Sequence, residues 1–447
     1  MNKQEFDREN SELITGFLNR THFAGWKMGN INNPVYANYR NIELQVNANC
    51  NLSCSYCYYD KYKEQLYPKE LNNTNQIKTN LELLLDWFIS NNLLPEFDLF
   101  SGELLVQDIG IYILERLINW HVDNKYEGFI KIPTNFSWIM NDAKVQKIQE
   151  LINFGKINSV FVGLSCSIDG KFADKYRPFK NGFSRTENYY QRIFEFCSKN
   201  DFGFHPMLYS EAIQDWIDNF LWFQDMFVKH NINWEKIYLL EVRNSNWTDQ
   251  NNKDLYKFIR FVIKWIYGKL DSIGLSDKDK VEFIFKHRLM NLLSGLFSTN
   301  GRGIGCSVQS TVQLRLGDLS GTLCHRQSYK QLQPWKFVVE NEKIVGINAL
   351  NIAPYIAEQT TTHRNFPFCQ SCFIKHLCIG GCPGAQYEIN GDVFIPIPTV
   401  CAMEHVKVAS ILDAIKEVGL LSYFYHAIAS EKRDTVDLYF SDFKGRM

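Results

Sequence analysis

The sequence has no long apolar run. The roughly 20 consecutive apolar residues needed to cross a bilayer occur nowhere in its 447 residues; the best candidate, 81–97, is broken by Glu82, Asp86, Asn91 and Asn92. No membrane association is expected. The first twenty residues mix Lys, Asp, Glu, Arg and Asn and lack the basic n-region and apolar h-region of a secretory signal, so the expected location is cytoplasmic. Net charge is nearly absent: 48 Lys and Arg against 49 Asp and Glu leave −1. Bulk electrostatics therefore draw the chain neither to nucleic acid nor to anionic lipid. Internal repeats and low-complexity tracts are also missing.

What is present is a globular composition, 45% hydrophobic and 22% charged, long enough for one large domain with an appendage or for two to three ordinary ones. Twelve cysteines accompany it. In a reducing compartment they are unlikely to form structural disulfides, and a cluster of them signals metal ligation or redox chemistry.

Asn41 to Val46 alternates apolar and polar residues and reads as a strand that ends just before Cys50. Helical and strand patterns then take turns as far as Val242, giving six strand–helix units. Repeated strand, crossover helix, strand is the signature of a parallel sheet. The expected fold class is α/β, a partial (β/α)6 TIM-like barrel with a C-terminal cysteine-rich domain. Its parts are an N-terminal segment (1–40), the barrel (41–250), bridging helices (251–305), the cysteine-rich domain (306–405), and a C-terminal helix and tail (406–447). The cysteine-rich stretch shows little regular periodicity, so metals are expected to support it more than a core of its own.

Cys50, Cys54 and Cys57 form a C-x3-C-x2-C triplet at the C-terminal end of the first strand. Barrel active sites gather at strand C-terminal ends. Three thiolates within eight residues can wrap one face of a 4Fe-4S cube and leave one iron open. A zinc knuckle is the alternative, but structural zinc takes four protein ligands, and no fourth Cys or His stands near. With Tyr56 before the third cysteine, the triplet resembles the defining motif of the radical S-adenosylmethionine (SAM) superfamily. The resemblance implies that SAM chelates the open iron and is cleaved by one electron to a 5'-deoxyadenosyl radical, which takes a hydrogen atom from substrate. An unactivated C–H bond is beyond acid–base groups near neutral pH, so a cofactor has to carry that step.

Further motifs follow in the family's order. Ser101-Gly102-Glu103 stands where the family has Gly-Gly-Glu, which implies that Glu103 meets the SAM amino group. Asn135, Ser167, Asp169 and Arg177 resemble the family's SAM contacts; each alone is equally a turn or capping residue. Glu241 and Arg243, at the sixth strand end, are candidates to meet SAM or substrate, or else form a buried ion pair.

Downstream, Cys369-x2-Cys372-x5-Cys378-x3-Cys382 is preceded by Cys306 and Cys324 and followed by Cys401. This pattern resembles the SPASM extension of radical SAM enzymes, an iron-sulfur domain carrying two auxiliary 4Fe-4S clusters; two zinc sites of ribbon type are the alternative. The resemblance implies Cys306, Cys324 and Cys382 for a nearer cluster, and Cys369, Cys372, Cys378 and Cys401 for a farther one. With SAM, three 4Fe-4S clusters are the expected cofactors. No cysteine lies between Cys306 and Cys324, so the nearer cluster is expected to have an open iron, a water or a non-cysteine ligand. His325 follows Cys324 where anaerobic sulfatase maturases of this type place an Asp; a histidine there can still accept a proton near pH 7. Cys166 and Cys197 read as small buried apolar side chains.

The expected function is a radical SAM peptide maturase that oxidises or crosslinks a residue of a ribosomally made peptide or protein. A sulfatase-maturase type and a non-catalytic iron-sulfur carrier are the alternatives. The expected partners are a peptide or protein substrate, an electron donor such as flavodoxin or ferredoxin, and, with 49 residues before Cys50, a separate leader-binding protein or a reduced recognition element.

Overall fold

The structure, a computed structural model, describes residues 41–286, 312–351, 366–378 and 380–443. The chain divides into two units, each assembled from separated segments. The first takes its described residues from Met1–Ser167, Arg177–Phe202 and Ser307–Gln359; the second takes them from Ile168–Tyr176, Gly203–Cys306 and Thr360–Met447.

In the first unit, strands β1 (Asn41–Gln45), β2 (Glu96–Phe100), β3 (Gly128–Thr134) and β4 (Val160–Cys166) alternate with helices α1 (Thr74–Ser90), α2 (Asp108–Asp123) and α3 (Asp142–Ile157), and α4 (Glu187–Asn200) follows. Three of these four helix starts have a side-chain cap. The Asn73 carboxamide accepts the Asn75 and Gln76 N–H groups, Asn141 that of Lys144, and the Thr186 hydroxyl that of Tyr189; such caps are worth about 1 kcal/mol each. On α1 the buried Ile77, Leu81, Leu84, Leu85 and Phe88 recur at helical spacing, a stripe that buries apolar area at about 1.5–3 kcal/mol per large side chain.

Four more strands close this unit: β5 (Val312–Arg315), β6 (Ser320–Thr322), β7 (Trp335–Glu340) and β8 (Lys343–Ala349). In sheet order they run β8-β7-β6-β5-β1-β2-β3-β4. β5 through β4 pair in parallel, while β5 to β8 form an antiparallel meander. The register aligns Val312, Ile42, Phe97, Ile130 and Val162 in one row, and all five are buried. One residue along, on the opposite face, the row reads Gln313, Glu43, Asp98, Lys131, Gly163. A parallel sheet covered on both faces reads apolar throughout, so a charged row marks the face that lines a site.

In the second unit, Met207–Leu208 runs parallel to Leu240–Glu241. Its helices are α5 (Trp216–Lys229), α6 (Asp249–Ser272), α7 (Asp277–Lys286), α8 (Pro383–Asn390), α9 (Pro398–Glu417), α10 (Leu421–Ala427) and α11 (Ser430–Leu438). A capping box between Thr248 and Asn251 starts α6. The long helices α6 and α9 are bound side by side: the Tyr256 hydroxyl donates to Asp413 at 2.6 Å, and Arg260 and Lys264 both pair with Glu417. No helix among the described residues is long and apolar enough to cross a membrane.

Candidate functional site

Asn47 and Gln107 build the first cysteine loop. Asn47 Oδ1 accepts the Asn49 N–H at 2.9 Å and the Ser101 hydroxyl at 2.7 Å. Gln107 Nε2 donates to the carbonyls of Asn49 (3.1 Å) and Glu103 (2.7 Å), and the Glu103 N–H donates to Asn49 O at 2.8 Å. The loops after β1 and β2 are thus tied together. Gly102 is required at the junction: a Cβ there would stand 2.4 Å from Asn49 O and 2.8 Å from Cys50 Cβ. On the other side Ser53 N–H donates to Pro178 O, Lys180 N–H to Asn51 O, and Leu52 bridges Phe179.

Cys50, Cys54 and Cys57 are half-buried on this loop. Leu52 N–H donates to Cys50 Sγ and Asp60 N–H to Cys57 Sγ, both at 3.4 Å, and Cys57 caps the helical turn Tyr58–Lys61. Burial pushes the Cys50 thiol up to about 12, with Glu103, Cys54 and Cys57 adding to the rise; Cys57 is raised by burial and by Cys54. Thiols so close, two of them with N–H donors, suit iron, which takes them as thiolates. Among the described residues no three His, Cys, Asp or Glu side chains gather at the spacing of a single metal ion; a cube binds each thiolate on a separate iron and has no need of that spacing.

Glu103 is buried to 1% exposure. Its carboxylate accepts the Asn135 N–H at 2.6 Å and the Thr134 hydroxyl at 2.8 Å. Burial nonetheless lifts it to about 7, against the opposing pull of those bonds and of Arg177. Asn135 Nδ2 reaches Asn51 Oδ1 at 3.1 Å, and Arg177 Nη1 donates to Ser167 Oγ at 3.1 Å. Ser101, Gly102, Glu103, Asn135, Ser167 and Arg177 are therefore all in the first unit with the three cysteines. Asp169 belongs to the second unit, where it is fully buried and its carboxylate accepts the Met207 N–H at 3.1 Å.

His325 lies over the charged row. Its backbone N–H donates to Glu43 Oε1 at 3.1 Å, its Nδ1 stands 2.7 Å from the same oxygen, and its ring stacks on Phe100 at 3.8 Å and 9°. Beside it, Lys131 pairs with Asp98 at 3.6 Å, whose carboxyl is raised by burial more than Lys131 lowers it. Sequence reasoning passed over Glu43, Asp98 and Lys131. Their signal was the polar phase of strands whose apolar phase is buried.

In the second unit Cys369, Cys372, Cys378 and Cys401 are mutually close. Cys401 is pushed up to about 11 by burial, then by Cys369 and Cys372, and Cys378 is raised by burial with Cys401 contributing. Cys372 Sγ lies 3.3 Å from His405 Nε2. Cys382 stands at the N-cap position of α8, with the buried Gln386 one turn on; neither carboxamide atom of Gln386 has a hydrogen-bond partner among the described residues, and a Cβ on Gly381 would overlap it. Such an orphaned amide fits a site made for a bound group. Cys324 belongs to the first unit, and Cys306 lies outside the described residues. Glu241 and Arg243 sit in a buried ion-pair group with Lys407 and Glu404. Cys166 and Cys197 are fully buried.

No family model and no curated protein matches the chain by sequence. Solved structures do match. anSMEcpe, a SPASM-domain radical SAM sulfatase maturase solved with AdoMet bound, superposes with a TM-score of 0.55 at 14% identity, over 89% of this chain and 98% of that one. Its complex with AdoMet and the Cp18Cys peptide matches at 0.51 and 16%, over 85% and 99%. SuiB from Streptococcus suis, bound to S-adenosylmethionine, matches at 0.49 and 11%, over 89% and 81%. At these identities the likeness is one of fold: the chain shares the α/β partial-barrel fold of anSMEcpe, the fold class that its alternating strands and helices led one to expect.

Proposed function

We propose that the protein is a radical SAM maturase that takes a hydrogen atom from a residue of a peptide or protein, leading to an oxidised or crosslinked product. The observation that carries this reading is the cysteine loop locked by Gly102 against buried Glu103 at the C-terminal ends of a parallel sheet. Cys50, Cys54 and Cys57 would hold the first 4Fe-4S cluster; Glu103, Ser101, Asn135, Ser167 and Arg177 would receive SAM. When bound, cluster and SAM together supply a radical able to open an unactivated C–H bond. Glu103, once it has released its proton, would accept a hydrogen bond from the SAM amino group. His325, with Nδ1 turned to Glu43, offers Nε2 as acceptor for a substrate proton. Cys369, Cys372, Cys378 and Cys401 would hold an auxiliary cluster that takes up the second electron of the oxidation, and Cys324 and Cys382, with Cys306, would hold another. An external one-electron donor such as flavodoxin or ferredoxin is required, because each cleavage of SAM consumes an electron. anSMEcpe has been solved with a peptide, which supports a peptide substrate here.

Anaerobically reconstituted, reduced protein should convert SAM to 5'-deoxyadenosine and contain about twelve irons per chain for three cubes. Iron without SAM cleavage would favour an iron-sulfur electron carrier instead.

A further inference from the structure

Four charged side chains are buried together in the second unit. The side chains of Glu241 and Lys407 are 0% exposed, that of Glu404 is 2% exposed and that of Arg243 10%. Lys407 Nζ lies 2.7 Å from Glu241 and 3.3 Å from Glu404, while Arg243 Nη2 lies 2.9 Å from Glu404 and 3.9 Å from Glu241. Two cations and two anions cancel, which makes the burial tolerable. Apolar packing of the same volume would often be as stable or more so, so the group calls for a reason beyond stability.

Two contacts tie it to the cysteines. Arg243 Nη1 donates to Gly380 O at 3.3 Å, and the N–H of the same Gly380 donates to Cys378 Sγ at 3.2 Å. Gly380 has φ +81°, a conformation that favours glycine. Glu404 follows Cys401 by three residues on α9 and so shares its face. Both Arg243 and Lys407 pair with its Oε1, while its Oε2 is buried with no hydrogen-bond partner among the described residues. Cys378 and Cys401 both feel the Glu404 charge.

We propose that Glu404, held as an anion by Arg243 and Lys407, keeps the cluster bound by Cys369, Cys372, Cys378 and Cys401 at a low reduction potential. Reduction adds one electron, and hence one negative charge, to a cluster that already faces a fixed carboxylate in a dry surrounding, where charge–charge terms are strong. The Gly380 N–H and the Arg243 guanidinium act on Cys378 in the opposite direction, so Glu404 is the anion that lowers the balance. Its role is one of positioned charge, and it rests on the cluster assignment proposed above.

The test is a redox titration of the full chain, reconstituted anaerobically and followed by paramagnetic resonance, with iron counted on the same samples. In Glu404→Gln one auxiliary signal should move to more positive potential while the signal of the SAM-binding cluster stays in place. Glu241→Gln removes the same unit of charge from the same group but away from the cysteines, and should move that signal less. Should Glu404→Gln not fold, the double variant Glu404→Gln/Lys407→Met keeps the charges balanced and should move the signal in the same direction by less, because the cation it also removes stands farther along the helix from Cys401 than Glu404. Unchanged potentials in iron-replete variants, or an equal shift in Glu241→Gln, would overturn the inference. A wild-type chain holding only one cluster would overturn the auxiliary-cluster assignment itself, and the inference with it.

Discussion

The first cysteine group draws three thiols from eight consecutive residues, whereas the four that converge in the second unit come from positions spread between Cys369 and Cys401. The first is shaped by neutral hydrogen bonds: Asn47, Ser101 and Gln107 tie two strand-end loops together, and one buried acid, Glu103, bonded to Thr134 and Asn135, lies behind them. The second leans on a charge-balanced core of Arg243, Glu404, Lys407 and Glu241. The difference teaches how each group meets a charged cofactor. A lone buried acid that holds its proton up to about 7 can exchange it for an incoming hydrogen-bond donor, so the first group is built to change. A paired anion between two cations has nothing to exchange, and so supplies a constant field.

The sharpest way to break this contrast is to remove one cysteine from each group. Cys54→Ala should abolish SAM cleavage altogether, while Cys378→Ala should leave part of it, because the first cluster does not depend on the second for its ligands. Measured as 5'-deoxyadenosine formed by reduced protein, equal loss in both would show that the two groups act as one. Next in size is Gly102→Ala. The added carbon would meet backbone at Asn49 and the Cys50 side chain, neither of which can swing away. Overpacking of this kind costs about 1–3 kcal/mol, and the loops would separate, so the variant should melt earlier and lose about four irons per chain. A variant with full iron and an unshifted melt would mean that the two loops are not coupled as the hydrogen bonds indicate.

The first group was legible in the sequence because its geometry is local: three cysteines after an alternating strand put the thiols at a strand end, and Ser101-Gly102-Glu103 after the next strand puts Glu103 beside them. The parallel strands from Asn41 to Cys166 were equally legible, since a buried phase alternates with turn residues. Much of the second half was not. The hairpin from Trp335 to Ala349 turns at Asn341-Glu342, both at positive φ, where the usual Asn-Gly signal is absent. Val312 to Arg315 joins the sheet beside β1 by a pairing some 270 residues apart, which no local pattern encodes. Within the alternating pattern that ends at Val242, two short strands, Gly203–Phe204 and Met207–Leu208, stand in place of one, since Pro206 between them cannot donate to a ladder. Nothing in the local sequence marks Glu404 and Lys407 as buried; only the fold shows that they pair with Arg243 and Glu241.

The smallest effect tests the changeable half of the comparison. Glu103 in the folded chain titrates near 7 against about 4.3 unfolded. An acid whose pKa is raised on folding carries a proton in the native state that the unfolded chain has already released. Stability therefore falls as pH rises from about 4.3 to about 7, by up to about 4 kcal/mol, and the cost persists above that window. Glu103→Gln, which cannot ionise, should lose this dependence and melt higher than wild type at pH 8. Binding should show the opposite slope. If the SAM amino group donates to the ionised Glu103, SAM affinity in wild type should rise about tenfold between pH 6 and pH 8, while Glu103→Gln binds more weakly and without that rise. Calorimetric titration at the two pH values reads both. A flat wild-type profile would show that Glu103 holds its loop through Asn135 and Thr134 but does not meet the amino group, and the contrast between an exchangeable acid and a fixed one would then be lost.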